Sequence, residues 1–124
     1  MNYLQAPKLL HGDFWPENIL WKNYSVAAIL DWEDAAIGDP LCDVAACRVE
    51  LRYKLGREVM DQFTTEYQKH HPVDPHRLAV WQVYVAAAAQ HFMGQWRLEE
   101  SLEAHMRGEA LASMREASAV LGAR

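Results

Sequence analysis

The chain has 124 residues, enough for one domain that buries roughly two thirds of the surface its unfolded form exposes. Half of it is apolar and 23% is charged, a composition that excludes disorder as the main state. The net charge is −5 and the twelve Lys and Arg are scattered, which gives no basic stripe for nucleic acid, and no apolar run approaches the length of a membrane span. The N-terminal "MNYLQAPKLLHGD" lacks a charged segment followed by a long apolar one, so a cytoplasmic protein is expected.

Strand signals come first. "KLLHG", "NILW" and "VAAILD" are short apolar runs between turn residues, and "KNYS" joins the last two as a hairpin. At "GDPLCDVA" a helix opens, because Asp39 can cap the free amides while Pro40 takes the first helical position, where no amide proton is needed. Val44, Cys47, Leu51 and Leu55 then share a face, and Gly56 ends the helix. Cys42 and Cys47 form no disulfide or metal spacing and read as small buried hydrophobes. A second helix, "REVMDQFTTEYQKH", turns Val59, Met60, Phe63 and Tyr67 to one side and stops before Pro72. His70, His71 and His76 surround two prolines without metal-ligand spacing and read as a solvated connection. Asp74 and Pro75 repeat the earlier cap and open a third helix, expected to run to about Glu100 with Leu78, Trp81, Val85, Ala88, Phe92 and Trp96 inward. Being apolar on more than one face, it belongs at the centre of the core. A fourth, from Ser101 to about Leu121, aligns Leu102, Met106, Ala110 and Met114. The expected fold class is mainly α with a small β-hairpin (α+β), one domain over 1–124, with short strands and loops over 8–38 and a helical part over 40–121.

The polar groups that carry chemistry cluster in "LLHGDFWPENILW" and at the end of "VAAILD". Asp13 and Asn18 lie on the loop between the first two strands, Asp31 ends the third, and a hairpin brings those ends together. Phosphoryl transfer requires a carboxylate that orients and deprotonates the attacking hydroxyl, and oxygen ligands that hold Mg²⁺ against phosphates. Asp13, Asn18 and Asp31 match that requirement. Read singly they are also ordinary loop residues.

The combined stretch "HGDFWPENILW…AAILDWEDAAIGDPLCDVA" resembles the catalytic region of the aminoglycoside phosphotransferase and choline kinase-like family, distant relatives of the protein kinases. The match spans about Leu9 to Ala45, with a fainter helical similarity to the end of the chain. The resemblance implies a protein kinase-like C-terminal lobe with Asp13 as catalytic base and Asn18 and Asp31 as Mg²⁺ ligands. It makes His11, and Asp39 and Asp43 of the family's GDPxxD segment, structural supports of the loop. ATP becomes the implied co-substrate, and an aminoglycoside, choline or sugar-like alcohol the acceptor. In relatives with cationic substrates, acidic groups of the C-terminal helices help bind the amines, which makes Glu99, Glu100, Glu103 and also Glu109 candidates. An exposed charged helix face has the same appearance.

Two departures stand out. Glu17 occupies a position where many relatives have Gly, which either sets a bulky carboxylate beside Asn18 or turns it into solvent. Full relatives begin with a smaller nucleotide-binding lobe whose Lys holds the ATP phosphates. Nothing before His11 supplies it, and Lys8 is too close to the loop to stand in. The expectation is therefore a C-terminal lobe with the N-terminal lobe absent and the isolated chain inactive. Its partner would be that lobe or a second copy, met through uncovered Phe14, Trp15, Tyr3, Leu4 and aromatics of the Trp81 to Trp96 helix. The alternative is a non-catalytic binding or assembly module derived from the same lobe.

Overall fold

Asn23 and Tyr24 both adopt positive φ, 51° and 63°, the pair of left-handed residues that a two-residue hairpin turn needs. In this computed structural model, which describes residues 6–122, that turn joins β2 (Ile19–Lys22) to β3 (Ser25–Ile29), with register from Ile19 opposite Ile29 to Lys22 opposite Ser25. Tyr3 and Leu4 lie outside the described residues. A second antiparallel ladder surrounds the first. There β1 (Lys8–Leu10) pairs with β4 (Ala36–Gly38), Leu9 facing Ile37. The sequence pattern predicts no strand over "AIG", because three residues carry no alternation; β1 supplies the hydrogen bonds that make it one.

Four helices complete the chain: α1 (Pro40–Leu55), α2 (Arg57–Gln68), α3 (Pro75–Phe92) and α4 (Glu100–Gly122). Both expected caps form. Asp39 accepts from Leu41 N, and Asp74 accepts from His76 N and Arg77 N. Gly56, at φ 91°, ends α1 and donates its N–H to Arg52 O. The α3 helix packs against both α1 and α4. Val49, Tyr53, Ala86, Ala89, Met93 and Ala110 form one buried cluster, and Leu41, Val44, Ala45 and Leu78 another. Cys47, Leu51 and Met60 make a third, against which Phe14 packs, so the loop after β1 is anchored to the helical core. Burying a side chain such as Met60 contributes about 1.5–3 kcal/mol.

The third helix is shorter than its apolar pattern suggests. It gives way after Phe92 to a 3₁₀ turn, Met93–Gln95, and Arg97 takes a positive φ of 55°, which lets α4 fold back along α3. Phe92 and Trp96 are exposed rather than inward, as are Leu55 and Leu102. Trp96 stands four residues after Phe92, so the helical period carries across a break it cannot register. Phe14 and Trp15, expected on an uncovered surface, are half-buried. Among the described residues no helix is long and apolar enough to cross a membrane. The fold is α+β, mainly helical with small antiparallel strand pairs.

Candidate active site

The nested ladders place two loops side by side, residues 11–18 and 30–35, and His11 stitches them together. Its backbone N–H donates to Asp43 Oδ2 at 2.7 Å, and the next N–H, of Gly12, donates to Asp43 Oδ1 at 3.1 Å. The Asp43 carboxylate, in the first turn of α1, thus clamps the start of the loop to the helix. The His11 ring is buried, 3% exposed, and both nitrogens are used. Nδ1 accepts from Asp13 N at 3.1 Å, which puts the proton on Nε2, and Nε2–H donates to Leu30 O at 2.6 Å. Leu30 N–H in turn donates to Asn18 O at 2.7 Å. Phe14 and Trp32 meet the imidazole edge-on, with ring centroids 6.0 and 4.6 Å away. Gly12 has φ +89°, and a Cβ there would lie 2.4 Å from Asp34 O, so the two loops approach too closely for any other residue.

Asn18 is 5% exposed, held in the 3₁₀ turn Pro16–Asn18. Its Nδ2 donates to Asp13 O at 2.8 Å and to Asp13 Oδ2 at 3.3 Å. Among the described residues this leaves Asn18 Oδ1 and Asp13 Oδ1 without partners. Asp31 follows Leu30 directly and takes φ 59°, a conformation Asp tolerates, with its side chain exposed. The backbone bond between Leu30 and Asn18 therefore brings Asp31 beside Asn18 at one end of the hairpin. Among the described residues no three His, Cys, Asp or Glu stand together as a cation cage. An amide oxygen and one carboxylate are a donor set that fits Mg²⁺, which keeps most of its shell for water and phosphate oxygens.

Asp39 works elsewhere. Besides capping α1 it accepts from Trp81 Nε1 at 2.9 Å and pairs with Arg77 Nε at 2.7 Å, tying α1 to α3. Glu17 is exposed and pairs at the surface with Lys54 at the end of α1, and the Lys54 ammonium stands 4.8 Å from the Trp15 ring centroid. Of the acidic residues on the later helices, Glu99 accepts from Ser101 N at 3.2 Å at the start of α4 and Glu100 is exposed in its first turn. Glu103 pairs with Arg107 at 2.9 Å, and Glu109 with Arg52 at 2.6 Å.

A cavity of about 710 Å³ opens beside Asp13, and none of those four glutamates lines it. Its polar wall is Asp13, Glu50, Lys54, Tyr53 and Trp15; Trp96, Leu98, Leu102 and Met106 complete it. Glu50 makes no hydrogen bond or ion pair with any described residue, and burial, opposed by Lys54 and reinforced by Glu17 and Asp13, pushes its carboxyl up to about 7. Sequence reasoning missed Glu50 and Lys54 as site residues. A signal existed: Asp43, Glu50 and Lys54 are spaced seven and four apart, which places them along one side of α1.

A family model described as "Phosphotransferase enzyme family" matches residues 3–81, well over half of the chain. Over 43 residues the chain is 44% identical to acyl-CoA dehydrogenase family member 10 of Mus musculus, a stretch that is 33% of this chain and 4% of that protein. The crystal structure of a thermostable mutant of aminoglycoside phosphotransferase APH(4)-Ia, apo form, matches with a TM-score of 0.62 at 24% identity. That match covers 94% of this chain and 39% of the other, and at that identity the likeness is one of fold. The chain thus spans well under half the length of either protein.

Proposed function

The chain belongs to the phosphotransferase enzyme family, and from that premise we propose that it is the C-terminal lobe of an ATP-dependent enzyme that phosphorylates a hydroxyl of a small molecule. The observation that supports the reading is the run of hydrogen bonds from Asp43 through His11 and Leu30 to Asn18, which joins the loop of Asp13 and Asn18 to the end of β3, where Asp31 follows. Asp13 is the base. Its Oδ2 is fixed by the Asn18 amide while Oδ1 stays open to take the proton of the acceptor hydroxyl as that oxygen attacks phosphorus. Asn18 Oδ1 and the Asp31 carboxylate hold Mg²⁺, which when bound neutralises charge on the phosphates. The cavity beside Asp13 receives the acceptor, and a nucleotide-binding lobe outside this chain holds the ATP phosphates. The 124-residue chain alone turns over no ATP.

The test separates the two roles. In an enzyme that joins this lobe to a nucleotide-binding lobe, Asp13→Ala lowers kcat by about 10²–10⁴ and leaves nucleotide affinity nearly intact. Asp31→Ala weakens Mg²⁺-dependent nucleotide binding instead, because a metal ligand also holds the ground-state complex. Equal and mild effects of the two substitutions refute the assignment, as does robust turnover by the pure 124-residue chain.

A further inference from the structure

We infer that the chain carries a second ligand site, on the far side of α1 from the cavity beside Asp13, where Arg48 binds the carboxylate of a small monocarboxylic acid with an aliphatic tail. The inference stands apart from the reading of Asp13 as base. Among the described residues Arg48, Arg52, Arg77 and Arg107 are the buried or half-buried arginines. Arg52 pairs with Glu109 and Glu116, Arg77 with Asp39 and Arg107 with Glu103. Arg48 forms no ion pair with any described residue, although a guanidinium drawn out of water is ordinarily matched by an opposite charge. Its bonds go to neutral groups only, Nε to Gln82 Oε1 at 3.0 Å and Nη1 to Thr64 Oγ1. Nη2 carries two N–H groups, donates to none of the described residues and keeps access to solvent. A ligand can therefore reach it.

The guanidinium is set in place before any ligand arrives. Gln82 and Thr64 are themselves buried; Thr64 Oγ1 donates on to Met60 O at 3.0 Å, and Gln82 Nε2 donates to Ser113 Oγ. The bonds thus run from Ser113 through Gln82 and Arg48 to Thr64, so that all four helices orient Arg48 and leave Nη2 as its open corner. Arg48 lines a cavity of about 260 Å³ between those helices, with Met60, Leu78 and Ala79 in its apolar wall. No residue of that wall lines the cavity beside Asp13, and Arg48 and Glu50, two apart on a helix, face nearly opposite sides of α1. Charge and size select the ligand. Asp61 and Glu116 also line the cavity, held by Arg57 at 3.8 and 3.0 Å, and they repel a doubly charged phosphate more than a single carboxylate. A carboxylate matches the planar donor, and a cavity below the size of drug-binding pockets suits a short tail.

The cavity is lined by this chain's own residues, so binding is measurable without nucleotide or turnover. Hexanoate, 1-hexanol, hexyl phosphate and the α-amide of N-acetylglutamate are titrated by calorimetry into the 124-residue chain near neutral pH. The last probe presents the same carboxylate as a protein side chain would. Hexanoate is expected to bind about tenfold more tightly than each of the others. Arg48→Lys keeps the charge but loses the planar donor, and it brings hexanoate to the affinity of 1-hexanol while leaving 1-hexanol itself unchanged. Val120 is an exposed residue of the cavity wall, so Val120→Glu spares the core and keeps the test open should Arg48→Lys fail to fold. Its added carboxylate is expected to weaken hexanoate about threefold or more. Lys54→Met, in the wall of the other cavity, leaves hexanoate unchanged. Hexanoate that fails to bind or binds no better than 1-hexanol, hexyl phosphate or the glutamate probe binding as tightly, indifference of hexanoate to a folded Arg48→Lys or Val120→Glu, or its loss in Lys54→Met overturns the inference. None of these readings involves Asp13, Asn18 or Asp31, so their failure leaves the phosphotransferase reading standing.

Discussion

Gly12 precedes Asp13 in the chain and Glu50 shares its cavity, the first constrained by crowding and the second by burial. At Gly12 a methyl group would meet the Asp34 carbonyl at 2.4 Å in a backbone conformation that already strains an L-residue. Gly12→Ala is therefore expected to cost about 2 kcal/mol or more, read as a lower midpoint in urea, and to pull the His11 amide off Asp43. Glu50 makes a different kind of statement. Its carboxyl rises from 4.5 to about 7 on folding, so the native state binds a proton that the unfolded chain releases. The associated stability is fully present below about pH 4.5 and is lost as pH climbs through about 7. Relative to Glu50→Gln, the parent should lose on the order of 2 kcal/mol between those limits, measured by denaturant unfolding at a series of pH values. Identical pH profiles for the two proteins would refute it. These residues also separate what a sequence discloses from what it hides. Asp13, Asn18 and Asp31 stand in contiguous motifs whose residue types point to the proposed chemistry, while the place of Glu50 in the cavity wall depends on α4 and the residues before it coming to face α1.

Elements divide in the same way. The two Asp-Pro helix starts were legible because a cap is a local device, written in adjacent residues and complete without tertiary contact. The long-range partners of the first cap were not legible. Asp39 reaches past α1 to Arg77 and Trp81 on α3, a partnership between residues remote in sequence. The Arg77 side chain is only 6% exposed, so Asp39→Ala removes both a cap and the carboxylate beside a buried guanidinium. A loss of about 3 kcal/mol or more is expected, visible as a fall in Tm with α1 and α3 exchanging amide protons faster. Little change in Tm would mean that the pair is replaceable by solvent. The end of α3 and the strand β4 were hidden for related reasons. One apolar period runs through a break, and the other element is too short to have a period at all.

At the scale of the molecule, the outer faces of the two ladders are apolar. Leu9 and Ile37, directly opposed across one ladder, are 63% and 70% exposed, and Trp21 opposes Val26 across the other with both exposed. Such cross-strand pairs on an open face favour association. The 124-residue chain is expected to self-associate at high micromolar concentration, and Leu9→Thr with Ile37→Thr to reduce that association in light scattering. A parent that stays monomeric across the concentration series contradicts the expectation. The nesting of these ladders also dictates an order of assembly. The inner hairpin closes over two residues, whereas the outer ladder must join Leu9 to Ile37 across everything between them. Closure entropy grows with the length of free chain, so the inner hairpin zips first and shortens the excursion that the outer pair has left to close. The bonds of His11 to Leu30 O and to Asp13 N, which join the loop of Asp13 to the end of β3, form with that last closure. The chain can thus hold its helices and inner hairpin before the two loops are joined, and amides of β1 and β4 should exchange with solvent through openings that leave β2 and β3 protected.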